Sequence, residues 1–377
     1  MSVPALRFKD NNGESFPIWE SKAIGDVLSI GSGKDYKHLS LGLIPVYGTG
    51  GYMLSVDSYL HDGESVCIGR KGTIDKPTLL NGKFWTVDTL FYTHSFKGCL
   101  PKFIYACFQR IDWKNYNEAS GVPSLSKSTI EKIDIQIPSV PEQTKIANFL
   151  TAIDEKITQL MQKHELLTQY KKGVMHQIFN QELRFKDDDG QDFPEWVEKP
   201  LNKLIYEPEK HKVLNAKSIE LLTVKLHFKG VIRSGKYPLA TEKGRPYYVR
   251  ETGELIIGRQ NLHNGGVAIV TEETQGCIAS NAISSFRTKE NVSVDFIYLS
   301  MTMPFFINAV DTAVGGTGQK EVSTKQLLNI TILMPCEREQ LRIATFIASI
   351  DNKLTHTQNQ LAAAKQYKQG LLQQMFV

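Results

Sequence analysis

The chain has 377 residues, of which 41% are hydrophobic, 10% aromatic and 22% charged, with a formal net charge of +4. That length suits two or more domains with cores of their own, and this composition excludes a wholly disordered chain. So mild a charge permits a nucleic-acid partner only where basic residues cluster, and no apolar run approaches the roughly 18 residues that a membrane helix needs.

The chain opens without the apolar stretch of a signal peptide and reaches the phrase LRFKDNNGESFPIW at 6–19. A variable region over about 20–137 follows and reads as α+β, or mostly β with short helices. Within it, YGTGGY at 47–52 is a glycine turn between tyrosines, and ESVCIGRKGTI at 64–74 predicts a short buried strand running into a glycine-bounded turn. KFIYACF at 102–108 is a buried element, and ASGVPSLS at 119–126 is a loop. At Ser139-x-x-Glu142 the spacing predicts a capping box, with Pro141 tolerated in the first helical turn. From there Ile146, Leu150, Ile153, Ile157 and Leu160 recur at the alternating four-three spacing of a coiled-coil seam, and no glycine interrupts until Gly173.

The phrase then returns as LRFKDDDGQDFPEW at 183–196, and a second variable region extends over about 197–334. There GELIIGRQNL at 253–262 corresponds to the earlier strand and turn, DFIYLSM at 295–301 to the buried element, and GGTGQKEVS at 315–323 to the loop before the helix. The second helix carries a longer seam through Ile343, Ile347, Ile350, Leu354, Thr357, Leu361, Ala364, Lys368, Leu371 and Met375. Each helix should span about 38 residues, or about 57 Å.

Leu6 and Leu183 lie 177 positions apart and Glu142 and Glu339 lie 197 apart, so the second copy of a tandem duplication holds about twenty further residues between its framework segments. An operation that carries the first half onto the second and then returns is a two-fold rotation, which predicts antiparallel helices with a globular domain towards each end. The expected divisions are 1–138, a first globular domain with the framework phrase; 139–180, the first long helix; 181–335, the second globular domain; and 336–377, the second long helix.

Catalytic and metal-binding patterns are absent from the sequence. The nine histidines form no HExxH and no cysteine pair at metal spacing, GGTGQKE lacks the GKS or GKT ending of a phosphate loop, and DDDGQDFPE lacks a twelfth-position acid for calcium. Five scattered cysteines, at 67, 99, 107, 277 and 336, make no Cys-x-x-Cys and fit a reduced cytoplasm.

Basic residues interleaved with aromatics and amides point instead to DNA, because arginine and lysine neutralise phosphates and amides pair with adenine edges. RSGKYPLATEKGRPYYVR at 233–250 supplies Arg233, Lys236, Arg245, Tyr247 and Arg250 as candidates. GRQNL supplies Arg259, Gln260 and Asn261, and the glycine loop Gln319 and Lys320. In the first region the candidates are Tyr47, Gly48, Thr49, Arg70, Lys71, Lys114, Asn115 and Asn117. The competing reading is a coiled-coil scaffold that joins protein partners only.

LRF…FPxW at the head of each half, IPVYGTGGY at 44–52, IGRKGTI at 68–74 and P-x-x-x-EQ followed by IAxFLxxID at the head of each helix resemble the specificity subunits of type I restriction-modification systems. The resemblance covers nearly the whole chain. It implies an α+β protein with two pseudo-symmetric target recognition domains separated by two long antiparallel coiled-coil helices. Each domain would read one half of a gapped target in double-stranded DNA, with the helices as a ruler of roughly 17 base pairs. It also implies partners: two methylation subunits, and restriction subunits in the full complex. The chain itself would bind no cofactor and catalyse nothing, S-adenosylmethionine being expected in the methylation subunits, which flip out an adenine. One departure is KGRPYY at 243–248, which stands in the second half where a YGTGGY-like segment is expected. Another is the stop at Val377 directly after the helix, from which a further tail seen in relatives is expected to be missing.

Overall fold

The structure is a computed structural model that describes residues 4–238, 246–314 and 321–376. The chain divides into two compact units, Met1–His164 with Thr357–Val377, and Glu165–His356. Each takes part of both long helices.

In the first unit the repeated phrase runs into β1 (Glu20–Ala23), and α1 (Ile24–Val27) leads to β2 (Ser29–Ser32). Next come β3 (Leu41–Gly48), β4 (Gly51–Val56), β5 (His61–Asp62), β6 (Ser65–Gly69), β7 (Thr78–Leu80), β8 (Lys83–Thr86) and β9 (Leu90–His94). Helix α2 (Pro101–Arg110) starts on a proline, where a missing N–H costs nothing, and buries Phe103, Ile104 and Phe108. Then α3 (Lys127–Glu131), capped by the Ser126 hydroxyl, and β10 (Asp134–Ile137) lead into α4 (Val140–Phe179), of 40 residues. The main sheet is antiparallel in the order β2-β9-β6-β7, and β6 is buried along its whole length. A second sheet, β4-β3-β8-β5, has β3 and β8 parallel and packs on Val46, Val56, Trp85 and Val87.

In the second unit β11 (Val197–Pro200) and β12 (Ile205–Tyr206) are followed by β13 (Leu222–Val224), β14 (Val231–Arg233), β15 (Tyr247–Val249), β16 (Leu255–Gly258), β17 (Val267–Ile269), β18 (Ile278–Ser280) and β19 (Ile283–Thr288). Helices α5 (Val294–Met301), α6 (Pro304–Val314) and α7 (Thr324–Asn329), β20 (Thr331–Met334) and α8 (Glu337–Met375), of 39 residues, complete it. The sheet β12-β19-β16-β17 repeats the order of the first unit's main sheet, and β11 pairs β20 as β1 pairs β10. Among the described residues the second sheet is not repeated. In its place stand the hairpin β13-β14 and the pair β15-β18 over Leu222, Ile256, Ala268 and Val270.

The structure explains why the fourteen-residue phrase occurs twice. Arg7 makes a bidentate pair with Glu142, Nε–Oε1 at 3.0 Å and Nη2–Oε2 at 2.7 Å, and donates to the carbonyls of Phe16 and Pro17, while Trp19 Nε1 donates to the same carboxylate at 3.2 Å. In the second unit Arg184 meets Glu339 at 3.2 and 3.0 Å and donates to the carbonyls of Phe193 and Pro194, and Trp196 Nε1 donates to Glu339 at 3.0 Å. Each glutamate is fully buried, so its charge needs that fork and that indole. The hydrogen bond and charge of Glu339 hold the Arg184 guanidinium above its ordinary pKa.

The capping box expected at Ser139-x-x-Glu142 does not form. The Glu142 carboxylate is taken by Arg7 and Trp19, and the buried Ser139 hydroxyl has no partner. The adjacent glutamines tie each helix to its unit instead. Gln143 accepts from Leu100 N and donates to the carbonyls of Gly98 and Pro138; Gln340 accepts from Ser293 N and donates to those of Asn291 and Pro335.

Within each unit the two helix segments run antiparallel. In the first, Asp154 pairs with Lys368 at 2.6 Å, and Ile146 and Leu150 share a core with Leu371, Met375 and Phe376. In the second, Lys171 pairs with Asp351 at 2.6 Å, and Val174, Ile178 and Phe179 share a core with Ile343 and Ile347. An aromatic at the end of each long helix, Phe179 in α4 and Phe376 directly after α8, closes a core. Phe376 lies 6.1 Å from Trp19 and 5.6 Å from Phe103, and Phe179 lies 6.1 Å from Trp196 and 5.5 Å from Phe296.

The aspartate-rich stretches are turns, as Asp10 and Asp187 accept from the backbone N–H groups two and four residues on. All five cysteines are unpaired, and burial pushes the Cys67 thiol up to about 12. Among the described residues no helix is long and apolar enough to cross a membrane, and no cluster of three or more His, Cys, Asp or Glu is placed to hold a metal ion.

Candidate nucleic-acid interface

Four loops meet at one edge of the first unit. The turn of the β3-β4 hairpin, with Gly51 at φ +105°, lies beside the turn after β6: a Cβ on Gly72 would stand 3.6 Å from the Thr49 hydroxyl. Arg70 N and Lys71 N donate to Thr89 O, Val87 N donates to Tyr47 O, and Gly72 N donates to Pro123 O. Tyr47, Gly48, Thr49, Arg70 and Lys71 are therefore neighbours. Of these, Gly48 and Thr49 line a cleft of about 730 Å³ whose walls also include Asp35, Lys37, Tyr52, Met53, Asp88 and Thr89. Five of those eight, Asp35, Lys37, Met53, Asp88 and Thr89, were not singled out from the sequence. The only signal for them is proximity to YGTGGY, because the cleft forms where two sheets approach, through contacts distant along the chain.

Two of the three other candidates in this unit are committed locally. Lys114 is exposed and lies 3.1 Å from Asp75, whose carboxyl it holds below the usual range by its hydrogen bond and charge. The Asn117 amide donates to Ala119 O and accepts from the N–H groups of Ala119 and Ser124, so it shapes the loop before α3. Asn115 is exposed beside them.

The candidates of the second unit divide more sharply. Arg250 is 3% exposed and donates to Ile283 O, and Tyr247 is 8% exposed in the strand pair β15-β18. Both leave the list of DNA contacts, since a side chain facing its own core cannot reach a phosphate without unfolding the strand. Burial lowers the pKa of Arg250, while the charge of Glu254 opposes that shift. Arg233 is half-exposed, but its guanidinium donates to Glu273 O, Gln275 O and the Glu220 carboxylate, so its fork is occupied at home. Lys236, Gln260 and Asn261 are exposed, and Arg259 leaves the end of β16 with Nη2 at 3.2 Å from Glu321. Arg245, Gln319 and Lys320 lie outside the described residues.

Each unit thus offers an arginine at the end of a sheet strand with polar neighbours, the exposed Lys71 and half-buried Thr49 in the first and the exposed Gln260 and Asn261 in the second, as expected of a surface that grips and reads duplex DNA. The family model for the type I restriction modification DNA specificity domain matches the chain twice, over residues 18–169 and 207–366. The chain belongs to this family. It is a DNA-specificity subunit of a type I restriction-modification system. It is 24% identical over 313 residues to the type I restriction enzyme MjaVIII specificity subunit of Methanocaldococcus jannaschii, across 78% of this chain and 71% of that one. The fold is shared with the type I S subunit of M. genitalium, with a TM-score of 0.68 and 14% identity over 100% of this chain and 99% of that one. A chain from structural work on complex assembly and conformational transition of the type I system matches with a TM-score of 0.52 and 14% identity, over 96% of this chain and 98% of that one. The two matched segments fall one in each half of the duplicated chain.

Proposed function

We propose that each unit reads one half of a gapped, asymmetric duplex target, and that the long helices set the gap and hold two methylation subunits. The chain performs neither methyl transfer nor cleavage. S-adenosylmethionine is bound by the methylation subunits, restriction subunits join the full assembly, and the complex works in the cytoplasm, where five unpaired cysteines stay reduced.

One observation carries this reading: the duplication keeps the frame residue for residue at Arg7–Glu142–Trp19 and Arg184–Glu339–Trp196 while, among the described residues, the second sheet of the first unit has no copy in the second. A protein that must present two different surfaces on one scaffold keeps and changes those parts. Involvement of a type I assembly is supported by the relative from complex-assembly work.

The test is a genome-wide map of methylated adenines in cells expressing the chain with its methylation subunit. A two-part gapped motif is expected. Exchange of the insert in one unit should change one half-site and leave the other half-site and the gap as they were. A contiguous motif, or loss of both half-sites on exchange of one insert, would reject the division of labour. Methyl transfer by the isolated chain would reject its non-catalytic role.

A further inference from the structure

We infer that Arg70 and Arg259 are equivalent grips on the phosphate backbone of duplex DNA, one for each half of the target. The inference rests on the DNA-reading function proposed above and assigns these two arginines a role distinct from base reading.

Both arginines follow an isoleucine and a glycine, Ile68-Gly69-Arg70 and Ile257-Gly258-Arg259, and each glycine ends a buried strand of the repeated sheet, β6 or β16. Their main chains are pinned in the same way. Arg70 N donates to Thr89 O at 2.7 Å and Arg259 N to Ala282 O at 3.3 Å, in each case the residue just before the adjoining strand, β9 or β19. Arg70 O accepts from Leu125 N at 2.9 Å and Arg259 O from Val322 N at 3.3 Å, in each case from the residue just ahead of the serine that caps α3 or α7. The two guanidinium groups therefore leave their sheets from the same position although the segments around them differ.

Each also keeps donors in reserve. A guanidinium has five N–H donors. Arg70 spends one on a long 3.5 Å contact with Asp88 O and lies 5.9 Å from the Phe91 ring. Arg259 is partly exposed with Nη2 3.2 Å from Glu321, and because its Nε is buried the donors left for a phosphate are those of the two terminal nitrogens. A planar fork with unspent donors on a rigid strand end suits a phosphate, whose oxygens accept in pairs. Exposed neighbours extend the donor surface: Lys71 beside Arg70, and Gln260 and Asn261 beside Arg259.

Phosphate is favoured over base because of what the two halves have in common. The arginines stand at the same place in the sheet that both variable regions repeat, and the part of the DNA common to two different half-sites is its backbone. Phosphate contacts fix register and orientation, and base contacts supply the sequence.

The test uses the full complex with its methylation subunits, carrying Arg70→Gln or Arg259→Gln, with Arg→Lys at each position to retain charge without the fork. Each glutamine variant should weaken binding to the methylated target and to an unrelated duplex by the same factor, on the order of tenfold. It should also reduce the slope of log K against log salt by about 0.9, and the methylation motif should not change. The lysine variants should keep the slope. A changed base preference at a position of one half-site would overturn the inference and make that arginine a base reader. Unchanged affinity and slope, or loss of a methylation subunit in place of weaker DNA binding, would overturn it in favour of a structural role or a protein contact. If the unsubstituted complex gives no gapped motif, the proposed function fails; if it gives one and the variants are inert, only the present inference does.

Discussion

The frame and the inserts of this chain obey different physical constraints. In the frame, a buried glutamate in each unit receives an arginine fork and an indole N–H, and the adjoining glutamine ties the helix start to two carbonyls and one N–H. In the inserts, a four-stranded sheet over Val46, Val56, Trp85 and Val87 in one unit stands against a hairpin and a strand pair over a small aliphatic cluster in the other. A buried charge pair has one geometry and loses much if either partner changes, whereas an apolar patch needs only volume and pattern. Two copies of one domain can therefore diverge at their surfaces and stay alike where buried polar groups must be satisfied.

The strongest way to break that comparison is to remove the buried acids. Glu142→Ala and Glu339→Ala each leave an arginine and an indole without their acceptor; because Arg7 and Arg184 remain 19% and 18% exposed, the loss should be towards the lower end of the buried-pair range, about 3 kcal/mol. Denaturant unfolding of the full chain should report similar losses for the two variants. A large loss for one and none for the other would mean that the frame is not energetically duplicated.

Equivalent glycines sharpen the comparison in the opposite sense. A Cβ on Gly69 would stand 2.0 Å from Thr73 O, a backbone atom that cannot swing aside, whereas on Gly258 the nearest atom is Gly266 O at 3.6 Å. Gly69→Ala should cost about 2 kcal/mol and Gly258→Ala less than about 0.5 kcal/mol, read as the shift in denaturant midpoint. Equal costs would show that the turns after β6 and β16 respond alike despite their different sequences.

The smallest effect is expected between the helices. Lys368→Ala and Lys171→Ala each remove one partly exposed ion pair, worth about 1 kcal/mol or less, with Lys368 the larger because its side chain is 12% exposed against 26% for Lys171. High salt should narrow the difference in a double-mutant cycle with Asp154 and Asp351.

Much of the frame was legible in the sequence because it is written in local, periodic signals. The seam positions Ile146, Leu150, Leu160, Ile343, Ile347, Ile350, Thr357 and Leu361 are buried, as a four-three spacing on a helix requires. Ile-Gly-Arg marks a strand end in both halves because an apolar run closed by glycine has few other readings. The candidate interface was less legible. Tyr247 and Arg250 belong to a run rich in basic and aromatic residues, which carries no information on which way a side chain faces until β15 pairs with β18. Asn117 has the amide suited to a base edge, but the turn at Ala119 and Ser124 claims it first.

The sequence by itself determined the duplication, the two long helices and their seams, since each follows from spacing along one stretch of chain. Only the tertiary structure decided which carboxylate meets which arginine, why Glu142 abandons its capping role, and which loops gather beside Arg70. Those outcomes depend on the desolvation of charges brought together from more than a hundred residues apart, and such a cost exists only once the chain has folded around them.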